Sequence, residues 1–259
     1  MKPRFIDIHA HILPGLDDGA ETIEDSIELA RIAESNGVAI IIATPHSYDH
    51  NYEGSGFADE VCAAAEYTQE CINEASINVK LLTGMEIFAD RDTPRLLRSG
   101  DLLPLAGTRY ALTEFSFDEE PVWVTDVLRE TIAAGYIPVI AHPERYNYVR
   151  ENPGIAYNWV RGGCLLQINR GSLIGRFGPD ARATALRLLR HGLVSFTATD
   201  AHSPVARTTT MADAYAELKS LFGSAAAEEL TCTNAIKLIR GERITLPNAR
   251  PFYSGTEIF

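Results

Sequence analysis

The chain has 259 residues, 46% of them hydrophobic, and a formal net charge of −12. That length and composition suit one large globular domain spanning residues 1–259. The acidity excludes a general nucleic-acid binder, which needs a basic face. The opening "MKPRFIDIHAH" has no apolar core, and no run approaches the roughly 18 apolar residues of a membrane helix. Neither a signal peptide nor membrane insertion is therefore expected, and the protein reads as cytoplasmic. Cys62, Cys71, Cys164 and Cys232 form no C-x-x-C pair and read as reduced thiols without a disulfide framework.

Short, apolar, often β-branched runs predict strands, and periodic segments between them predict helices. Strand Arg4–His9 comes first. Helix Thr22–Asn36 follows, with a Thr cap and a stop before Gly37. Strand Ala39–Thr44, helix Ala58–Ala75 and strands Val79–Glu86 and Arg109–Phe115 come next. Helix Pro121–Ala134, strand Ile137–Ala141, helix Asn152–Arg161 and strand Cys164–Asn169 lead to helix Pro179–His191. Strand Leu193–Thr199 and helices Thr208–Phe222 and Ala226–Arg240 close the chain. Alternation of seven strands with seven helices implies a parallel sheet. A seven-stranded (β/α) barrel is the first expectation and an open doubly wound sheet the second. In strand one, Asp7, His9 and His11 share one face while Ile6 and Ile8 share the other. That fits a polar face toward a barrel axis and an apolar face toward the helices.

The strand ends carry the chemistry. His9, His11 and the Asp17-Asp18 pair follow strand one, and His46 in "TPH" follows strand two. Glu86 in "GME", Glu114 in "LTE" and His142 in "AHPER" end strands three to five. Asp200 and His202 in "TDAH" end strand seven. Only strand six, ending near "QINRG", offers no obvious metal ligand. Barrel enzymes build their sites at these C-terminal ends. Imidazoles and carboxylates without thiolate suit Mn²⁺, Fe²⁺ or Zn²⁺, with a carboxylate able to bridge ions. About nine ligands are too many for one ion and supply two or three. Closely spaced ions can activate water and stabilise attacking and leaving oxygens, which serves phosphate-ester hydrolysis. The other reading of these residues, buried polar structure, leaves many uncompensated charges away from water, at high cost.

The D-x-H-x-H opening, "TPH", "GxE", "AHPER" and "TDAH" resemble the motifs of the polymerase and histidinol phosphatase (PHP) superfamily. "DIHAHILPGLDDG", "AHPERY" and "TDAHS" most resemble its bacterial protein-tyrosine phosphatases of capsule and exopolysaccharide loci. The resemblance covers residues 5 to about 241 and implies a distorted (β/α)7 barrel with three metals. His9, His11, Glu86 and Asp200 would hold the first. Glu86 would bridge to the second, with Glu114 and His142. Asp18, His46 and His202 would hold the third, with Asp18 preferred over Asp17, which shapes the turn instead.

The resemblance also gives Arg145 and Arg207 a phosphate-gripping role, for which guanidinium is well shaped; the alternative is two surface arginines. It implies a metal-dependent tyrosine phosphatase in which activated hydroxide attacks phosphorus without a covalent phospho-enzyme. His46 or a water would assist the leaving group. The implied partner is the tyrosine-rich tail of an autophosphorylating bacterial kinase. A small-molecule phosphatase, such as one for histidinol phosphate, is the second choice. An amide hydrolase and a non-catalytic metal-binding regulator that docks the kinase come after it.

Several residues read otherwise. Cys164 and Arg170 match C-x5-R, but "LLQIN" between them is apolar and lacks glycine, so it reads as a buried strand rather than a phosphate cradle. His191 reads as a helix cap and His50 as a solvated histidine in the loop "HSYDHNYEGSGF", which could serve as a lid. Tyr48, Phe88, Tyr146 and Tyr148 follow strand ends and either flank an aromatic substrate or pack. Asp7 reads as a barrel-floor residue.

Overall fold

The computed structural model describes residues 5–47, 56–246 and 248–252. Arg4, Tyr48, His50 and most of the expected lid lie outside the described residues. Among the described residues are eight short strands, with helices between all but β3 and β4: β1 Phe5–Ala10, β2 Val38–Ala43, β3 Lys80–Thr83, β4 Glu86–Phe88, β5 Tyr110–Glu114, β6 Ile137–Ala141, β7 Leu165–Asn169 and β8 Phe196–Ala198. They form two sheets of orders β1-β2-β3 and β4-β5-β6-β7-β8, and every strand pair is parallel.

The sheets meet at two seams, each joining a strand residue or its neighbour to a loop that follows a strand of the other sheet. At one, the Ser47 N–H donates to the Glu86 carbonyl and the Glu86 N–H to the Pro45 carbonyl, each at 3.1 Å. At the other, the His11 N–H donates to Ala201 at 2.8 Å and the Asp200 N–H to His9 at 2.9 Å. The expected strand Val79–Glu86 is thus two strands in different sheets. The break falls at Gly84, where a Cβ would lie 2.9 Å from the end of the Leu105 side chain.

The helices are α1 Ile23–Ser35, α2 Phe57–Glu74, α3 Thr93–Ser99, α4 Pro121–Ala133, α5 Asn147–Glu151, α6 Gly154–Gly162, α7 Arg170–Leu173, α8 Pro179–Arg190, α9 Ala212–Phe222, α10 Ser224–Glu228 and α11 Asn234–Ile239. Helix α1 starts as expected, with a capping box between Thr22 and Asp25. Helix α9 starts four residues after the expected Thr208. The Thr209 hydroxyl donates to the Leu29 carbonyl at 2.6 Å, which ties this segment to α1 rather than to a helical turn of its own. A π-helical turn, Glu229–Thr233, joins α10 to α11. No helix among the described residues is long and apolar enough to cross a membrane.

Two buried clusters form the core. The larger includes Leu29, Ala30 and Val61 of α1 and α2 against Ile41, Ile140, Leu166 and Ile168 of the strands. The smaller joins Ile6 and Ile8 to Leu112, Val139, Leu165 and Phe196 of the other sheet and to Leu238 of α11. Strand β1 therefore corrects the expectation: Ile6 and Ile8 pack among the strands, while Phe5 meets Tyr215 of α9 at a ring distance of 5.2 Å. The β1–β2 register shifts between Asp7 and Ala10. Such irregularities re-aim side chains, and this one lies where His9 turns toward the site.

Candidate metal centre

All nine expected ligands gather at one end of the sheets, with His9, Glu86 and Glu114 within β1, β4 and β5 and the other six in segments that follow strands. Three groups offer converging ligand atoms: His9, His11, Glu86 and Asp200; His11, Asp18, His46 and His202; and His46, Glu86 and Glu114. Glu86, the first residue of β4, belongs to two of them and touches a histidine of the third. Its Oε2 lies 3.0 Å from His9 Nε2, 3.2 Å from His11 Nε2 and 3.2 Å from His46 Nδ1. Its Oε1 lies 2.8 Å from His142 Nε2. Burial alone would raise the Glu86 pKa, yet the surrounding histidines hold it well below the usual carboxylate range.

The loop after β1 supplies His11 and Asp18. It turns at Gly15, which has φ +70°, and returns through Gly15 N–H to Ala20 and Ala20 N–H to His11. A Cβ on Gly19 would stand 2.3 Å from the His11 carbonyl oxygen, so only glycine lets the loop close on that histidine. Asp17 and Asp18 then diverge. Asp17 accepts from His11 Nδ1 at 2.6 Å, from the His46 N–H at 3.0 Å and from the Gly19 N–H at 2.9 Å. Burial pushes its pKa up, but these bonds bring it down to about 2. Asp18 instead places Oδ1 3.3 Å from His202 Nε2 and 3.5 Å from His46 Nε2.

The donor set fits divalent cations. His9 Nδ1 donates to Gln167 Oε1 at 2.8 Å and His11 Nδ1 donates to Asp17, so in the neutral rings both Nε2 atoms are lone pairs. They stand 3.2 Å apart and face Glu86 Oε2 and Asp200 Oδ1 at 3.0–3.5 Å. Four buried electron-rich atoms repel unless positive charge lies among them. The metal-free protein answers with protons: burial opposes charge on His9 and His11, but Glu86, Asp200 and, for His11, Asp17 raise both pKa values. A bound cation replaces those protons. His202 donates from Nδ1 to the Asp200 carbonyl at 3.1 Å. Burial and the neighbouring His11 push its pKa down to about 3, so its Nε2 stays a lone pair aimed at Asp18.

The second expected group is arranged differently. His142 Nε2 lies 3.9 Å from Glu114 Oε2, whereas His46 Nδ1 lies 2.9 Å from Glu114 Oε1. His46 thus stands between Glu114 on one side and Asp18 on the other. His142 and Asp200 adopt positive φ, 35° and 52°, a strained backbone that concentrates at functional sites.

Arg145 and Arg207 reach the same place from the loops after β6 and β8. Both approach Asp200 Oδ2: Arg207 Nη2 bonds to it, and Arg145 Nη1 lies 3.6 Å away. The Arg145 guanidinium lies over the rings of Phe117 at 4.7 Å and Phe177 at 4.6 Å. These groups line a cleft of about 450 Å³, with Phe88 and Phe117 exposed at its wall. Phe88 therefore faces the cleft, while Tyr146 and Tyr148 are buried and stack at 5.3 Å, as packing residues.

The remaining readings sort themselves by geometry. Cys164 is buried without a phosphate cradle around it, and burial pushes its thiol up to about 12. Arg170 turns from the site into a two-point bond with Asp213 at 2.7 and 2.6 Å. His191 caps α8 and stacks on Phe252. Asp7 accepts from the Thr199 N–H at 3.0 Å and from its hydroxyl, below the ligands. Residues without a sequence signal are Gln167 and Asn169 on β7, which carry His9 and Asp200. Amides have no metal-ligand signature; only their alternation on the face of Leu165 places them.

The family model for capsular polysaccharide synthesis, CpsB/CapC, matches residues 5–240. The chain belongs to the CpsB/CapC family. Its relatives include two tyrosine-protein phosphatases. Tyrosine-protein phosphatase YwqE of Bacillus subtilis is 41% identical over 240 residues, 93% of each chain. Tyrosine-protein phosphatase CpsB of Streptococcus agalactiae is 28% identical over 93% of this chain and all of its own. A solved structure from work on YwqE of Bacillus subtilis and CpsB of Streptococcus pneumoniae, described as unique metal-dependent tyrosine phosphatases, superposes with a TM-score of 0.89. It is 38% identical and covers 96% of this chain and 99% of its own.

Proposed function

We propose that this CpsB/CapC protein is a metal-dependent protein-tyrosine phosphatase of the PHP type. The observation that carries this is the convergence on Glu86 of four histidines beneath a cleft that also holds two arginines and two exposed phenylalanines. Names and activities of the CpsB/CapC relatives support the same reading. Two or three divalent ions, most reasonably Mn²⁺ given the N/O donors, with Fe²⁺ or Zn²⁺ also suited, would supply an activated water and charge neutralisation for phosphate oxygens.

His9, His11, Glu86 and Asp200 would hold one ion. Glu86 with Glu114, His142 and the Nδ1 face of His46 would hold a second, and Asp18, His202 and the Nε2 face of His46 a third. An imidazole bound through both nitrogens has no proton to give, so His46 would serve one of these two ions and keep on its other nitrogen the proton that moves toward the leaving oxygen. Arg145 and Arg207 present N–H donors along the cleft for phosphate oxygens and stabilise charge as it develops. Phe88 and Phe117 offer faces to a phenyl ring.

Two parallel sheets with ligands at their C-terminal ends support a distorted (β/α)7-like barrel formed by one domain over residues 1–259. The partner we infer is a phosphotyrosine protein, the tyrosine-rich tail of a bacterial kinase controlling polysaccharide synthesis, met in the cytoplasm. Phosphate release from a phosphotyrosine peptide and from histidinol phosphate, with Mn²⁺ and with chelator, tests the assignment. Faster turnover of the peptide, abolished by chelator, is expected. Preference for histidinol phosphate would overturn it in favour of a small-molecule phosphatase, and equal negligible rates in wild type and His9→Ala in favour of a regulator.

A further inference from the structure

Strand β7 carries no ligand, yet its two amides connect two members of the first group. His9 Nδ1 donates to Gln167 Oε1 at 2.8 Å, Gln167 Nε2 donates to Asn169 Oδ1 at 2.8 Å, and Asn169 Nδ2 donates to Asp200 Oδ2 at 2.6 Å. All four side chains are buried. The direction of this chain has one solution. An ionised carboxylate only accepts, so Asn169 must present its NH₂ to Asp200 and its oxygen to Gln167. Gln167 must then give its NH₂ to Asn169 and turn its oxygen to His9. That oxygen only accepts, so the His9 proton resides on Nδ1 and Nε2 is left as a lone pair.

We propose that Gln167 and Asn169 are positioning residues, a two-amide relay through which the Asp200 carboxylate fixes the tautomer of His9 for metal binding. The relay occupies Oδ2 of Asp200 and leaves Oδ1 toward the ion position, 3.5 Å from both His9 Nε2 and His11 Nε2. It thus orients both of its ends at one point. On the other side of the group, Asp17 does the same for His11 directly. Partners of this kind raise ligand basicity and fix ring orientation. The Asn169 N–H donates to buried Glu144 at 2.9 Å, which holds the end of β7 and so the relay in register. The proposal rests on the metal reading above.

The test uses the full-length protein stripped of metal and titrated with Mn²⁺ alone by calorimetry, alongside ¹⁵N-histidine NMR of the Zn²⁺-loaded protein. Gln167→Met keeps volume but removes the acceptor. We expect its Mn²⁺ affinity to fall about 10- to 100-fold and the His9 Nδ1–H resonance to move upfield and exchange faster with solvent. Gln167→Glu keeps an acceptor for His9 and is expected to retain that resonance. Unchanged Mn²⁺ affinity and an unchanged resonance in Gln167→Met overturn the relay alone. If Gln167→Met does not fold, Gln167→Glu decides: loss of the resonance there overturns the relay. Wild-type protein that binds neither Mn²⁺ nor Zn²⁺ overturns the metal reading and the relay with it.

Discussion

Asp17 and His11 are joined by a 2.6 Å hydrogen bond, and the adjacent Asp18 takes no part in it. Two neighbouring carboxylates of one loop thus serve different ends. Asp17 is nearly buried and bonds three donors, whereas the Asp18 side chain is 61% exposed. Replacing Asp17 by Ala is expected to lower the stability of the metal-free protein by about 1–3 kcal/mol, because buried donors lose their acceptor. Asp18→Ala should leave that stability within about 0.5 kcal/mol while weakening Mn²⁺ binding. Thermal unfolding with chelator, followed by Mn²⁺ titration, separates the two; identical behaviour of both variants contradicts the division.

Gly19 sets a steric condition on the same loop. Gly19→Ala would place a methyl carbon against the His11 backbone and side chain, so the loop must open. A loss of roughly 1–3 kcal/mol and a fall in metal content after purification are expected. Unfolding curves and elemental analysis of wild type and variant provide the check.

Asp7 gives a pH dependence with a definite sign. Burial raises its pKa from 3.8 to about 6, against the opposing bonds from Thr199. A raised carboxyl binds its proton more tightly in the folded state, so the folded protein is favoured at low pH. This contribution is full below about pH 4 and is lost as pH rises through about 6. A rise of about two pH units corresponds to about 3 kcal/mol at most. Asp7→Asn removes the titration while keeping an acceptor for Thr199. Its stability relative to wild type, measured by urea unfolding with chelator, should therefore be greater at pH 7 than at pH 4. The opposite trend would falsify the assignment.

Cys164 is predicted to be a bystander. Its thiol, raised to about 12 by burial, is protonated at any working pH and so is not a nucleophile. Cys164→Ala is expected to keep kcat within about twofold, and iodoacetamide at pH 8 should leave phosphatase activity intact. Inactivation traced to alkylated Cys164 would restore the C-x5-R reading.

The aromatic wall makes a claim about selectivity. Phe88→Ala removes an exposed ring at the cleft and should reduce kcat/KM for aryl phosphates by about tenfold, a loss of about 1.4 kcal/mol, with little effect on alkyl phosphates. Steady-state kinetics on p-nitrophenyl phosphate and glycerol phosphate test this; equal losses on both would assign Phe88 to packing.

The legible parts of this molecule were those in which one residue type has one reading. Histidines and carboxylates just past apolar runs announced the site, and Thr22 and Gly37 announced the ends of α1. What escaped notice depended on neighbours distant in sequence. Gly84 at the β3–β4 break packs on Leu105, the segment before α9 is tied to Leu29, and Ile6 and Ile8 turn inward against strands more than a hundred residues away. Gln167 and Asn169 escaped because an amide is informative only once its partners are known. The sharing of His46 between Glu114 and Asp18 likewise arises from ring orientation, which spacing does not encode.

The two seams lie at the ligand end of the molecule, and each is made by backbone atoms of the ligands or of residues adjoining them. His9, His11 and His46 come from the three-stranded sheet and its following loops, while Glu86, Glu114, His142, Asp200 and His202 come from the other. Any ion held between these sets is therefore a rivet as well as a reagent. Chelation should loosen the joint between the sheets before either sheet melts, so the seam amide hydrogens of His11, Ser47, Glu86 and Asp200 should be the first to exchange when metal is withdrawn.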